Sequence, residues 1–282
     1  MTERSLTPEP PIAEPVIAEP LIEVTDAVVS YRVKGKGRFV AVHGVDLDVH
    51  PGEIVGIVGE SGCGKSSLAR ALVGINRLSG GSIRFLGEDV TPLPIRRRPA
   101  RLVPLQMVFQ DPYASLNPRR RIVQQLEEVW NSAARARGDA LGMEERLADI
   151  TDVLERVGLD PELRNRYPHA LSGGQRQRIA IAKALLAKPK VIVADEPISA
   201  LDASSQKHVG ELLRRLVDDL QIGMVIISHD LAVVATIADR TAVMRAGVFV
   251  EQGQTERVWT APEHPYTREL LGAVPALVGR EG

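Results

Sequence analysis

Gly59-Glu60-Ser61-Gly62-Cys63-Gly64-Lys65-Ser66 is a glycine-rich stretch between an apolar run, Ile54 to Val58, and a helix-forming run that begins near Lys65. The glycines let successive backbone N–H groups point towards one anion, and the helix adds the positive end of its dipole. In this pattern the lysine contacts the β- and γ-phosphates, and the serine hydroxyl can bind Mg²⁺. A glycine-rich turn beside a chance Lys-Ser pair is the alternative, but it does not require the strand before and the helix after. The stretch therefore predicts a phosphate-binding loop for a nucleoside triphosphate.

The composition of the 282 residues limits the possible functions. The formal net charge of −1 gives no reason to expect nucleic-acid binding. Cys63 is the single cysteine of the sequence, which rules out an intramolecular disulfide and a cysteine-rich metal site. No apolar run approaches the roughly 18 residues of a membrane span, and the N-terminus lacks a signal-peptide pattern. We therefore expect a cytoplasmic chain whose membrane role, if it has one, depends on partner subunits.

The chain divides into three predicted regions. Residues 1–20 are rich in proline and glutamate, which predicts an extended, disordered tail, either a plain linker or a docking segment. Residues 21–255 are predicted to form one α/β domain, with a mostly helical subdomain of about 111–167 inserted in it. Residues 256–282 are predicted to form a C-terminal extension of proline-interrupted helices. Strands are predicted at 21–33, 39–49, 54–58, 82–85, 103–109, 191–194 and 224–227, with a short hairpin-like segment from Val248. Within the inserted subdomain, helices are predicted at 119–137 and 143–157.

A second candidate element of the site is Asp195-Glu196, which follows the apolar run Val191 to Ala194. The carboxyl ends of parallel strands meet at one edge of a sheet, so we expect both carboxylates beside the phosphate-binding loop. Asp195 can hold Mg²⁺ through its water shell, and Glu196 can polarise an attacking water. Taken alone, the pair is equally typical of a turn.

A third element is Leu171-Ser172-Gly173-Gly174-Gln175, which precedes a helix predicted to reach about Ala187. Ser172 is typical of an N-cap, and the glycines leave backbone N–H groups open at the positive end of the helix. The stretch therefore predicts either a second anion site or a plain helix start.

Residues 171–175 resemble the signature motif of ATP-binding-cassette (ABC) ATPases, and further motifs of that family follow in its order. Gln110 resembles the Q-loop glutamine, Ser199 to Asp202 resembles the D-loop, and His229 resembles the switch histidine. Tyr31 lies where the family has an adenine-stacking aromatic, although a packed strand tyrosine would look the same. A strand-end histidine satisfied by the backbone is the alternative for His229.

This resemblance implies a fold and a set of roles. The implied fold is α/β, a P-loop NTPase of the ABC type with an antiparallel β subdomain, a parallel-sheet core and an inserted helical subdomain. It also implies ATP and Mg²⁺, with Glu196 as general base, His229 as sensor of the γ-phosphate and Gln110 as a contact to Mg²⁺ and water. The implied metal ligands are Ser66, Gln110 and Asp195. The implied nucleotide contacts are Tyr31, Gly59, Glu60, Ser61, Gly62, Cys63, Gly64, Lys65, Ser66, Ser67, Ser172, Gly173, Gly174, Gln175 and Asp202.

In this family two nucleotide-binding domains face each other head to tail. The resemblance implies that ATP on the Lys65 loop is closed over by residues 172–174 of a neighbour, and that Asp202 links the two sites. The sequence holds one copy of each motif, so the second half must be another chain, identical or a paralogue.

A finer resemblance is to the ATPase subunits of dipeptide and oligopeptide importers, a group that includes nickel importers. It rests on residues 59–66, on Gln110 to Arg119 and on His264-Pro265-Tyr266-Thr267. It implies permease partners in the membrane, an indirectly acting extracytoplasmic solute-binding protein, a place at the cytoplasmic face of the membrane and no nucleic acid. Tyr113 and Leu116 are expected where a permease helix docks. Some members carry a C-terminal iron–sulfur cluster, which this sequence lacks the cysteines to bind.

Three alternatives to peptide import stay open. The cargo could be nickel or another small solute, or the chain could serve an exporter, which shares the same chemistry. A soluble cassette ATPase that acts on nucleic acid or ribosomes is disfavoured by the absence of a long heptad insertion, a second cassette and a basic balance.

Overall fold

The protein is described from a computed structural model, which places residues 19–33, 35, 37–93, 98–111, 115–140, 142–199 and 203–272. The predicted tail therefore lies almost wholly outside the described residues, as do Tyr113 and Asp202. The strands are β1 Ile22–Val33, β2 Gly37–Val49, β3 Ile54–Val58, β4 Gly80–Phe85, β5 Glu88–Asp89, β6 Leu105–Val108, β7 Val191–Asp195, β8 Gly223–Ile227, β9 Arg240–Arg245 and β10 Val248–Gln254. The α-helices are α1 Lys65–Leu72, α2 Ile122–Arg137, α3 Met143–Arg156, α4 Gly173–Leu186, α5 Ala203–Leu220, α6 Leu231–Ile237, α7 Thr255–Thr260 and α8 Pro265–Gly272.

A six-stranded sheet forms the centre, in the order β10-β9-β3-β8-β7-β6. Its strands pair in parallel except β10, which is antiparallel to β9. Every residue of β3, β7 and β8 is buried, which explains why these strands are continuous apolar runs. Because they run in one direction, the segments that follow β3, β6, β7 and β8 all emerge at the same edge of the sheet.

A second, antiparallel sheet of four strands has the order β2-β1-β4-β5. Its inner face packs against α1 and one face of the central sheet, in a cluster that includes Val29, Val42, Leu68 and Phe85. This packing sets the long β1–β2 hairpin beside the loop that precedes α1.

The segment between β6 and β7 is mostly helical. Helices α2 and α3 pack on α4 around Leu126, Trp130 and Leu154, all of which are essentially inaccessible to solvent. The Trp130 Nε1–H donates to the Asp149 carboxylate at 2.7 Å, which satisfies the one polar atom of that side chain. Short 3₁₀ turns at Pro161–Asn165 and Pro168–Ala170 lead back to α4.

The structure confirms the predicted α/β class, but several boundaries differ. Strand β6 begins only at Leu105, after Pro104, which cannot donate to a sheet, and a 3₁₀ turn precedes it at Ala100–Leu102. Helix α2 begins at Ile122 and not at Arg119, since Arg121 acts as its N-cap with extended backbone. The predicted C-terminal helices are α7 and α8, and 273–276 lie outside the described residues. Strands β5 and β9 have no counterpart among the predictions.

Throughout the described residues, no helix combines the length and the apolar character needed to cross a lipid bilayer.

Candidate functional site

The loop after β3 uses its glycines for backbone conformations with positive φ, as predicted. Gly59, Gly62 and Gly64 have φ angles of 149°, 82° and 115°. A Cβ on Gly59 would lie 2.1 Å from the Met244 carbonyl oxygen, and one on Gly64 would lie 2.3 Å from that of Ala41. Both positions therefore require glycine for space as well as for backbone conformation. Gly64 is the N-cap of α1 and supplies no side-chain cap, so the first N–H groups of that helix remain open to an anion.

Lys65 is held inside this loop. Its side chain is 5% exposed, and its Nζ donates to the carbonyl oxygens of Gly59 at 2.7 Å and Glu60 at 2.8 Å. The Cys63 Sγ lies 3.7 Å away. The ammonium group is thus fixed within the loop, whose N–H groups can share a polyphosphate with it.

A hydroxyl and a carboxylate meet beside the loop, where Ser66 Oγ donates to Asp195 Oδ1 at 2.9 Å. Burial raises the pKa of Asp195, against the effect of the Ser66 hydrogen bond and the Arg70 charge. The carboxylate is 3% exposed and ends the fully buried strand β7. Adjacent oxygen ligands, one of them a buried carboxylate, suit a hard cation such as Mg²⁺, which would offset the cost of burying this charge.

Glu196 lies between two other predicted site residues. Its Oε2 accepts a hydrogen bond from Gln110 Nε2 at 2.8 Å and lies 3.2 Å from His229 Nδ1. Its backbone has a φ of 50°, uncommon for a residue with a side chain, and its N–H donates to the Ile227 carbonyl oxygen at 2.9 Å. A conformation of this kind is often found at functional sites. The three side chains come from the ends of β6, β7 and β8, as the shared edge of the sheet requires.

One cavity of about 570 Å³ joins these groups to the loop. It is lined by Phe39, Ala41, Ser61, Gly62, Gly64, Lys65, Ser66, Ser67, Gln110, Glu196 and His229. Its walls combine open N–H groups, a buried ammonium and a carboxylate, which suits a polyphosphate and a water molecule beside it.

Tyr31 lies next to this cavity and contacts the start of α1. Its hydroxyl donates to Ser67 Oγ at 2.9 Å and accepts from Asn76 Nδ2 at 2.8 Å, while the same Asn76 amide reaches the Ser67 carbonyl oxygen at 3.1 Å. Phe39, the cross-strand partner of Tyr31, is 56% exposed and lines the cavity. The sequence reasoning missed Phe39 and Asn76. The position of Phe39 opposite Tyr31 in the β1–β2 hairpin could have indicated its role. No local sequence pattern marks Asn76.

The signature-like segment forms a separate feature. Ser172 is the N-cap of α4 and makes a capping box: its Oγ accepts from the Gln175 N–H at 3.2 Å, and its own N–H donates to Gln175 Oε1 at 3.0 Å. Ser172 and Gly173 are exposed. Among the described residues that line the cavity of about 570 Å³, none belongs to 172–175. The structure therefore brings the loop, Gln110, Asp195, Glu196 and His229 together and leaves this segment apart.

Sequence comparisons relate this chain to ATP-binding proteins of ABC transporters. The profile of the ABC transporter family matches residues 42–199. The chain is 46% identical over 246 residues to the di/tripeptide transport ATP-binding protein DppF of Pseudomonas aeruginosa, which covers 86% of this chain and 74% of that protein. It is 43% identical over 263 residues to the oligopeptide transport ATP-binding protein OppF of Escherichia coli K12, with 90% and 78% covered.

Solved structures give the same result. A dimeric ATP-binding cassette in a post-hydrolysis state, bound to ADP and Pi, has a TM-score of 0.70 and 26% identity over 83% of this chain and 98% of its own. The cbiO1 subunit of a Clostridium perfringens ABC transporter complex has a TM-score of 0.71 and 28% identity, with 91% and 96% covered.

The chain belongs to the ABC transporter family, and its fold is that of the ATP-binding cassette. It is an ATPase of that family, which confirms the predicted class of protein and its nucleotide.

Proposed function

We propose that this chain is the ATP-hydrolysing subunit of a peptide importer, held at the cytoplasmic face of the membrane by permease subunits. The observation that carries the proposal is the identity of 43–46% to subunits named for di/tripeptide and oligopeptide transport, over 86–90% of the chain. We also propose that 21–255 is the ATPase domain, with the helical subdomain of about 111–167 inserted, and 256–282 an importer-type extension.

Within the site, we assign the attack on the γ-phosphate to a water molecule activated by Glu196. The hydrogen bond from Gln110 and the proximity of His229 hold the Glu196 carboxylate at the mouth of the phosphate-binding loop. A general base must lie within hydrogen-bond reach of the proton that it takes. Glu196 lines the same cavity as the loop, which would allow such reach to a water at the end of a bound triphosphate. His229 would contact the γ-phosphate and the same water.

Mg²⁺ would be held by Ser66 and Asp195, with Gln110 as a further contact, and would supply charge neutralisation at the phosphates when bound. Lys65 and the open N–H groups of the loop would bind the β- and γ-phosphates. The adenine of ATP would lie against the β1–β2 hairpin, where Tyr31 and Phe39 offer aromatic surface.

The exposed start of α4 supports a role between chains. Ser172, Gly173 and Gly174 are far from complete as a binding site on their own, since they offer a helix N-terminus at the surface and none of the cavity's charged groups. We propose that they close over ATP bound to another cassette, with Asp202 near the shared boundary. Whether that cassette is a second copy or a paralogue is tested by whether the Glu196→Gln chain alone forms an ATP-bound dimer.

A groove beside Gln110 is the proposed permease contact. Phe109 is 41% exposed and, together with Gln110, Val129 and Ala180, lines a cavity of about 580 Å³ between the central sheet and the helical subdomain. Leu116, which the sequence suggested as a contact, is 2% exposed and packs in the helical core, so its changes would act on packing.

Uptake of a labelled dipeptide into proteoliposomes that contain the assembled transporter tests the proposed function. Replacement Glu196→Gln should abolish ATP-driven uptake, whereas Glu211→Gln, an exposed residue of α5, should leave it within twofold. Uptake of Ni²⁺ without dipeptide uptake would replace peptide by nickel as the cargo. Uptake of neither solute, in vesicles that hydrolyse ATP, would contradict the proposed import of peptides.

A further inference from the structure

The C-terminal segment, which comprises helices α7 and α8, contacts the phosphate-binding loop through the side chain of Tyr266. Tyr266 is the second residue of α8, is 1% exposed, and accepts a hydrogen bond at its hydroxyl oxygen from the Glu60 N–H at 3.1 Å. Glu60 is the second residue of the loop. Tyr266 lies well beyond 42–199, the range that the ABC transporter profile matches.

The contacted peptide group also holds the lysine of the loop. The Glu60 N–H and the Gly59 carbonyl belong to one planar peptide unit, and the Gly59 oxygen accepts from Lys65 Nζ at 2.7 Å. Tyr266 therefore fixes one side of the unit and Lys65 is bound to the other. Rotation of that unit would move the carbonyl that orients the ammonium, and Gly59, with no side chain, offers little resistance to such rotation.

Tyr266 is itself held firmly. The Arg245 guanidinium lies over the Tyr266 ring, 4.7 Å from its centroid. The backbone N–H of Tyr266 donates to His264 Nδ1 at 3.1 Å. The Glu251 carboxylate of β10 accepts from the backbone N–H groups of Glu263 at 2.8 Å and His264 at 3.0 Å. Burial raises the pKa of Tyr266, so the phenol stays neutral and keeps its proton. A continuous set of contacts thus runs from β10 through the turn before α8 to the loop.

We propose that Tyr266 is a positioning residue for the phosphate-binding loop: it fixes the Gly59–Glu60 peptide and, through it, the Lys65 ammonium, so that the C-terminal segment contributes to nucleotide affinity. The inference rests on nucleotide binding at the Lys65 loop, and does not depend on which solute the transporter carries.

Calorimetric titration of the full-length chain with ADP tests the proposal. Replacement Tyr266→Phe removes the hydroxyl alone and should raise the ADP Kd about three- to tenfold, the loss expected for one hydrogen bond. Thr255→Val is the matched control: it removes a buried hydroxyl of the same C-terminal segment, which pairs with Thr241 Oγ1 at 2.9 Å. This control should leave the Kd within twofold, although both variants should lower the melting temperature.

Steady-state turnover of the assembled transporter adds a readout that a general loss of stability would not give. Tyr266→Phe should raise the KM for ATP and leave kcat within about twofold, because Glu196 is untouched. An unchanged Kd and KM in Tyr266→Phe, or an equal change in Thr255→Val, would overturn the proposal. If Tyr266→Phe does not fold, Glu251→Gln is the second variant, because Glu251 holds the turn before α8. A rise in the ADP Kd that is smaller than about threefold but measurable supports the proposal, and no rise contradicts it.

The wild-type titration separates this inference from the proposed function. A wild-type chain that fails to bind ADP would contradict the nucleotide site, whereas tight wild-type binding with an unaffected Tyr266→Phe variant would contradict only the role of Tyr266. Failure of peptide uptake leaves the Kd comparison intact.

Discussion

The two glycine-rich helix starts of this protein are built in opposite ways. At α1, Gly59 and Gly64 have positive φ angles, carbonyl oxygens fill the space where a Cβ would lie, and no side chain caps the helix. At α4, Gly174 has helical backbone, the nearest atom to a Cβ there would be Ser205 Oγ at 3.8 Å, and Ser172 caps the helix. The fold requires the first pair of glycines but not Gly174. We infer that Gly174 serves whatever approaches the exposed start of α4 from outside the chain.

The largest effect is expected at the first helix start. Gly64→Ala should destabilise the protein by about 2–4 kcal/mol and weaken ADP binding at least tenfold, because its Cβ meets the Ala41 carbonyl oxygen at a φ of 115°. Denaturant unfolding and ADP titration measure the two effects.

Gly62→Ala is the control, since Gly62 has a φ of 82° but open space around a Cβ. It should cost only about 1–2 kcal/mol, the strain of the left-handed conformation. Equal costs for both variants would show that the close approach at Gly64 is unimportant.

A smaller and qualitatively different effect is expected at the second helix start. Gly174→Ala should leave stability unchanged or raise it by up to about 1 kcal/mol, since alanine favours a helix. The ADP Kd of the separate chain should stay within twofold. ATP turnover of the assembled transporter should fall about tenfold, because the added methyl would block close approach of the backbone to the nucleotide of the proposed neighbouring cassette. Unchanged turnover would contradict the role assigned to residues 172–174.

The smallest effect is expected at Asn76, which supports the first helix start from the side. Asn76→Ala removes the amide that bonds both the Tyr31 hydroxyl and the Ser67 carbonyl oxygen. We expect the ADP Kd to rise about two- to fourfold, the change that one or two exposed hydrogen bonds produce. Tyr31→Phe, which keeps the ring and removes the hydroxyl, should match it. A larger rise in the ADP Kd for Tyr31→Ala than for Tyr31→Phe would indicate that the tyrosine ring itself contacts the adenine.

The sequence predicted those parts of the site that depend on neighbouring residues. The loop after β3 follows from glycine spacing between a strand and a helix, and the N-cap at Ser172 follows from its place before a helix-forming run. The parallel strands further predicted that Asp195 and Glu196, at the end of β7, lie beside that loop. Gln110 and His229 were expected there from the family resemblance. The β6 and α2 boundaries were wrong by two or three residues because Pro104 and the cap at Arg121 delay their start.

The remaining contacts join residues far apart in the chain and leave no local pattern. Asn76 meets Tyr31 across 45 residues, and Tyr266 meets Glu60 across 206. In the sequence Phe39 looks like any other aromatic residue of a strand, and the packing of the hairpin on α1 places it in the cavity. The His264 to Thr267 segment was noted for its resemblance alone, and its contact with the loop required the structure.

ADP titration of two variants beside the wild type tests most directly whether the chain's own nucleotide site is the α1 loop alone. Lys65→Ala should raise the ADP Kd about 100-fold or more, since it removes the buried charge proposed to bind phosphate, whereas Ser172→Arg should leave it within twofold. In the assembled transporter, Ser172→Arg should nevertheless reduce ATP turnover at least tenfold. A similar loss of ADP binding in both variants, or unaltered binding in Lys65→Ala, would contradict the separation of the two helix starts.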